Sequence, residues 1–241
     1  PVTRLSDQQM ENFRDYLNRG GNMMILTEYG HQEATEPILR ELGLKASDRQ
    51  IARTAGDFSS SLVLAQAAKG IDGIDDCFRG LTAGDGRVTM PGCVALERLE
   101  GESYFEARPL LVSPSDSWLE SDYSGFKDDI VECDENDGEV LGSYVTAYAL
   151  TRGDQRIIVV GDADCLSNSE MTIEREGDLG EGKRFSSAEE AELAYFHKEV
   201  GQQAKIQVRI PNADIYPEES NEGYSTVITT VGNLMFNREL P

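Results

Sequence analysis

The sequence predicts an α/β fold, a mixed sheet with helices on both faces, on three observations. Residues 7–19 carry apolar side chains at helical spacing and lead through a glycine pair into the short apolar run Met23–Thr27. A second helical stretch follows after a loop of a few residues. The apolar run Ile157 to Val160 then stops abruptly in Gly161-Asp162-Ala163-Asp164, as a buried strand ending in a polar turn would. Helix, strand and helix with tight joins are the rhythm of a sheet covered on both sides.

The elements follow in chain order. Ser6-Asp7-Gln8-Gln9 has the form of a capping box, with Ser6 as N-cap and Gln9 three positions on. Met10, Phe13, Tyr16 and Leu17 share a helical face, and Gly20-Gly21 ends the helix in a left-handed turn. After the Glu28-Tyr29-Gly30-His31 loop, a helix is expected near Glu36 to Leu42, with Pro37 in its first turn and Gly43 closing it. Between Asp48 and Gly101 the pattern is weaker. "SSSLVLAQAAKGI" is compatible with a helix, and "GRVTMPGCVALERLE" reads as a strand interrupted at Pro91-Gly92.

"PLLVS", residues 109–113, is a buried strand by composition, and "SPSDSWLESDYSG" after it is loop-like. Residues 126–138 are too acidic to pack and read as a solvated loop or edge. Val140 to Leu150 is β-rich and joins Arg156–Val160 across the turn Arg152-Gly153-Asp154, which predicts an antiparallel pair. Residues 169–222 are polar and Gly-rich and are expected to form a surface insertion, with a helix over 188–200 and a strand over 206–210. Residues 225–237 fit either a helix or a strand. The whole, 1–241, is expected to be one domain, and the start at Pro1-Val2-Thr3, directly before a helix, reads as a piece of a longer protein.

Composition narrows the function. There are 44 acidic against 22 basic residues, a net charge of −22. No surplus of Lys and Arg is available to displace counterions from phosphates, so nucleic acid is not an expected partner. An anionic lipid surface is disfavoured for the same reason. No apolar run approaches the roughly 20 residues of a membrane span, and no signal peptide is visible. The four cysteines form no Cys-x-x-Cys pair and only His31 and His197 accompany them, so a zinc site is not expected. Whether Cys77 and Cys93 form a disulfide is open at this level.

Asp162 and Asp164 stand where open α/β sheets bind ligands, at the carboxyl end of a strand. Two carboxylates there can hold Mg²⁺ or Ca²⁺, with Asn168 and Glu28 as neighbours from other strand ends. The same residues serve equally well as caps of the following turn, accepting backbone N–H bonds together with Ser167 and Asn168. Cys165 lacks the Gly-x-Ser/Cys-x-Gly surroundings that expose a nucleophile and reads as a small core residue. Neither Gly-x-Gly-x-x-Gly nor Gly-x-x-x-x-Gly-Lys-Ser/Thr occurs, so no nucleotide cofactor is expected. Trp118, the single tryptophan, either anchors a loop on the core or lines a ligand cleft.

Several of these segments in order resemble one family. Leu5-Ser6, Tyr16-Leu17 with Gly20-Gly21, Leu110-Leu111 with Ser113, Ser117 and Trp118, and Val159 to Asn168 resemble the extracytoplasmic domain of the auxiliary component of gliding-motility-type (GldG-like) ABC transporters. Cys165 stands where that family has an aromatic residue. The resemblance implies a flavodoxin-like or class I glutamine amidotransferase-like sandwich without the amidotransferase triad. It also implies a non-enzymatic, uncharacterised domain on the periplasmic side of the membrane, anchored by spans elsewhere in the parent chain. Its partners would be a transporter permease and ATPase, with Asp162, Asp164, Asn168 and Trp118 as ligand-contacting candidates and no cofactor. Two other classes stay open: a metal-dependent hydrolase or amidotransferase-like enzyme using Asp162 and Asp164, and a purely structural interaction module.

Overall fold

A computed structural model describes residues 3–54, 58–71, 87–101, 103–122, 126, 131–173, 176–178 and 184–186. The expected elements at 188–200, 206–210 and 225–237, most of the 169–222 segment, Cys77 and His197 lie outside these residues.

The chain opens with α1 (Asp7–Asn18), and the capping box is present in full. Ser6 N–H donates to Gln9 Oε1 at 2.9 Å, and Gln9 N–H donates to Ser6 Oγ at 3.3 Å. Met10 and Leu17 are the buried residues of its inner face. Replacing Ser6 with alanine removes the acceptor of Gln9 N–H and leaves that helix-end donor unsatisfied, and the expected loss is about 1 kcal/mol, read as a lower urea midpoint at unchanged slope. The helix stops because Gly20 takes φ +80°, and Gly21 is held to glycine by a neighbour. A Cβ on Gly21 would lie 2.2 Å from the Tyr16 ring, which arches over it to donate its hydroxyl to Asn22 O at 2.7 Å.

The short strand β1 (Met23–Leu26) follows, then α2 (Gln32–Glu41). This second helix begins four residues before the expected start, so Pro37 sits in its interior. A proline there removes a helical hydrogen bond, and the helix persists because Ala34, Thr35, Ile38 and Leu39 are buried against the sheets. Gly43 closes it at φ +74°, as expected.

The weakly patterned region resolves into strands: β2 (Leu44–Arg53), β3 (Leu62–Ala67), β4 (Arg87–Pro91) and β5 (Val94–Arg98). The helical reading of "SSSLVLAQAAKGI" is therefore corrected. Leu62 to Ala65 are all buried, and a strand covered on both faces shows no alternation to read. The break at Pro91-Gly92 is real, and it moves the chain from one sheet to another. Then come β6 (Glu106–Val112) and β7 (Ser117–Glu120), the latter in a stretch expected to be loop. The hairpin β8 (Val145–Arg152) and β9 (Gln155–Val160) has the predicted turn. Its first strand starts later than expected, and Val140 and Leu141 are exposed. α3 (Asn168–Thr172) and the small antiparallel pair β10 (Glu176–Asp178) and β11 (Arg184–Ser186) complete the described elements.

One sheet has six strands in the order β1-β9-β8-β6-β3-β4, and a second has three in the order β5-β2-β7. Only β1 and β9 run parallel; the other described pairs are antiparallel. Along β9 the side chains alternate between two cores. Ile157 and Val159 meet Met10 and Leu17 of α1 and Ile38, Leu39 and Leu42 of the α2 region. Ile158 and Val160 meet a cluster that includes Ile51 and Ala95 of the smaller sheet. Both long helices thus serve one face of β9, and its other face meets the second sheet.

The acidic stretch at 131–138 is a solvated turn around a short 3₁₀ segment, Glu135–Asp137. Its anchor is Glu139, which is buried. Glu139 Oε1 accepts from Ser121 N–H and Ser121 Oγ, and Oε2 accepts from Asp134 N–H, each at 2.8 Å. Burial alone would raise this carboxyl's pKa, but the donors from Asp134 and Ser121 outweigh it and hold it below the usual value.

Candidate functional site

The strand-end turn after β9 is where the sheets meet. Gly161 N–H donates to Thr146 O at 2.8 Å, and Gly161 O accepts from Val94 N–H at 2.8 Å, so one residue bonds to β8 on one side and to β5 on the other. Only glycine fits, because a Cβ there would lie 2.2 Å from Val94 O.

Asp162 follows with 0% exposure. Its Oδ1 accepts from Cys165 N–H at 3.0 Å and so closes the 3₁₀ turn Asp164–Leu166. Its Oδ2 is buried and has no hydrogen-bond partner. Desolvation, then the nearby charge of Glu28, push this carboxyl up to about 8, against smaller opposing contributions from the N–H groups of Cys165 and Asp164. Asp162 is therefore neutral over much of the physiological range.

Glu28 reaches the same corner from the loop after β1. Its Oε2 accepts from Ala163 N–H at 2.9 Å, and its Oε1 accepts from Tyr29 N–H at 3.2 Å. Burial raises its pKa as well. Cys165 is buried, with its thiol donating to Asp162 O at 3.2 Å. Desolvation and the neighbouring Asp162 drive that thiol far above its ordinary value, so it is a protonated core group and not a nucleophile. Cys93 is a buried free thiol whose pKa desolvation also raises, with Asp162 and Cys165 among the groups acting on it.

The residues singled out from sequence separate clearly. Asp162 caps the turn, and Glu28 is the neighbour foreseen from another strand end. Ser167 Oγ accepts from Glu170 N–H at 3.0 Å as the N-cap of α3, and Asn168 is the first residue of that helix. Asp164 starts the 3₁₀ turn. Trp118 is elsewhere, on β7 opposite Ala52, 1% exposed, with Nε1 donating to Glu120 Oε2 at 2.8 Å. Its ring lies in the interior and lines no open cleft. Among the described residues, no group of three or more His, Cys, Asp or Glu is placed to hold a metal ion. What sequence reading missed is Gly161 and the approach of Cys93; the signal for the first was a glycine directly after a doubly buried strand.

A shallow polar cleft lies at the opposite end of β9, lined by Asn18, Arg19, Gly20, Asn22, Arg152, Asp154 and Gln155. Its groups already serve the fold. Arg152 Nη2 and Gln155 Nε2 both donate to Leu17 O, at 2.6 and 3.1 Å, satisfying the carboxyl end of α1.

Comparison with known proteins gives a different direction from the transporter resemblance. No family model matches the chain. A DNA-directed RNA polymerase subunit beta' from Caldicellulosiruptor saccharolyticus is 42% identical over 94 residues, 38% of this chain and 8% of that protein. The subunit of the same name from Desulforamulus reducens is 30% identical over 122 residues, 44% of this chain and 9% of that protein. That from Saccharophagus degradans is 42% identical over 72 residues, 30% of this chain and 5% of that protein. The chain spans a tenth or less of the length of these curated relatives.

These findings overturn the GldG-like transporter assignment, and with it the expected permease and ATPase partners and the membrane-anchored periplasmic location. The expectation of a non-enzymatic chain falls too, since the relatives are named as a subunit of an enzyme. So does the exclusion of nucleic acid, since that enzyme is DNA-directed. Neither alternative, metal-dependent hydrolase or purely structural module, matches these relatives. Among the described residues no helix is long and apolar enough to cross a membrane. The physical reason for the mistaken resemblance is visible in the fold: Tyr16 over Gly21, and Gly161 before Asp162, are local solutions to ending a helix or a strand. Such solutions recur wherever the same turn is built. The similarity that extends over alignments of 72 to 125 residues is to the beta' subunit of bacterial DNA-directed RNA polymerases.

Proposed function

We propose that this chain is part of a protein that works in DNA-directed RNA synthesis, in the manner of a polymerase beta' subunit, with other polymerase subunits and nucleic acid as its partners. The observation that carries the reading is the recurrence of one subunit name among relatives from distinct bacteria at 26 to 42% identity. A net charge of −22 is compatible with it, because net charge averages over the chain whereas phosphate contacts depend on local basic groups.

Topology bears on how much of the body the likeness can include. Met23 of β1 pairs with Ile157 of β9, 134 positions away, whereas the longest of these alignments covers 125 residues. None of the matches reported above, which cover 30 to 44% of this chain, contains both members of the parallel pair. We propose that the body over 3–173 is one unit carried by such a protein. Its α/β class is supported by the parallel β1–β9 pair and by α1 and α2 on one face, and its flavodoxin-like character is proposed only for that part.

The test is co-sedimentation of the full chain with reconstituted bacterial polymerase subunits, with and without template DNA, at low and at high salt. The expected result is co-migration with the assembly and a DNA contribution that weakens as salt rises. A chain that sediments alone under all four conditions would overturn the proposal.

A further inference from the structure

We propose that the Glu28–Asp162 corner is a proton-operated latch: neutral Asp162 keeps the turn over residues 161–167 docked across the join of the two sheets, and its ionisation releases that turn. The geometry carries this. The join at the strand end runs through Gly161, whose N–H and C=O bond to Thr146 and Val94, and Asp162 is the next residue. One carboxyl oxygen holds the turn by accepting from Cys165 N–H, while the other is buried with no partner. A neutral carboxyl tolerates that position at modest cost. An ionised one would leave a buried charged oxygen without a hydrogen-bond partner, the N–H groups of Cys165 and Asp164 offsetting only part of the desolvation of the carboxylate.

The charged groups that act on it are acidic. The loop after β1 brings Glu28, and the turn itself brings Asp164, both acidic, together with the thiol of Cys165. The segment before β5 brings Cys93, a second thiol, and α3 brings the buried Glu170 beside Cys165. From β4 the contact is through Met90, which lies against Cys93; the cation of that strand, Arg87, stands at its other end. The sign follows directly. Folded Asp162 keeps its proton up to about 8, while in the unfolded chain it loses it in the ordinary carboxylate range. The native state thus binds the extra proton between these values, and its advantage declines as pH rises through that window.

The release is local, which separates it from general alkaline destabilisation. Hydrogen exchange on the full chain from pH 6 to 9, corrected for intrinsic rates, should show the Val94 and Cys165 amides losing protection at least tenfold. Leu150, fully buried and paired with Ile157, should hold its protection. Asp162→Asn keeps an acceptor for Cys165 N–H and cannot ionise, so its profile should be flat. Identical profiles for wild type and Asp162→Asn, or equal loss at Leu150, would overturn the latch. Should that variant fail to fold, wild type alone decides. The infrared carbonyl band of a protonated buried carboxyl must be present at pH 6 and must disappear in step with the loss of Val94 protection. A missing band, or loss of protection without loss of the band, overturns the proposal.

Discussion

Gly161→Ala is expected to destabilise the protein by about 3 kcal/mol or more, a combination of overpacking and two weakened hydrogen bonds. The added Cβ would meet Val94 O at 2.2 Å and Thr146 O at 3.2 Å. Both are backbone atoms of residues hydrogen-bonded to Gly161, Thr146 through the O that accepts from Gly161 N–H and Val94 through the N–H that donates to Gly161 O, so neither residue can move aside without opening the bond between the sheets. Gly142→Ala is the control, because a Cβ there meets only the Tyr144 ring at 4.0 Å and φ is not positive. Urea unfolding of the two variants decides the matter. Equal midpoints would show that the join yields freely and that the close approach at Gly161 is unimportant.

Trp118→Ala should cost about 3–5 kcal/mol, the range for removing a large aromatic from a core. The side chain is 1% exposed on a four-residue strand, and its indole N–H is bonded to the Glu120 carboxylate, itself buried. Truncation therefore opens a cavity and also removes a donor from a buried acid. Trp118→Phe separates the two effects, since most of the ring volume stays while the donor goes; about 1–2 kcal/mol is expected for the lost donor alone. Tyr104→Ala, at 84% exposure, should change the midpoint little. A Trp118→Ala variant as stable as Tyr104→Ala would mean that β7 is not part of the core.

The ends of the body were legible because their physics is local. Ser6 and Gln9 close on each other three residues apart, Gly20 and Gly43 sit where left-handed turns end helices, and the β8–β9 hairpin turns within a few residues. The middle was not, because its pattern is set by partners remote in the chain. Leu62 to Ala65 are buried on both faces between β4 and β6, and a fully covered strand looks like any apolar run. Trp118 was read in a loop because β7 is four residues long and takes its register from β2. At the strand end, the cap made by Asp162 and the neighbour Glu28 were both foreseen. The charge state was not, since it depends on burial supplied by Val94, Cys93 and the second sheet. The function was misread for a related reason: short turn motifs report how a chain bends, and the same bends serve unrelated tasks.

The pairing of Met23 with Ile157 has a consequence for synthesis. β1 leaves the ribosome before its partner exists, and at about 5–20 residues per second the separation of 134 positions takes about 7 to 27 s to make. Through that interval α1 and β1 lack Tyr148, Leu150, Ile157 and Val159, the side chains of β8 and β9 that complete their core. The hairpin of β8 and β9, complete within one short turn, forms as soon as it emerges, and only then can β1 close along its edge. Of the strands of this sheet β1 is made early and placed late, so it waits longer for its partner than β8 or β9 does and stays open to chaperones and proteases for that time.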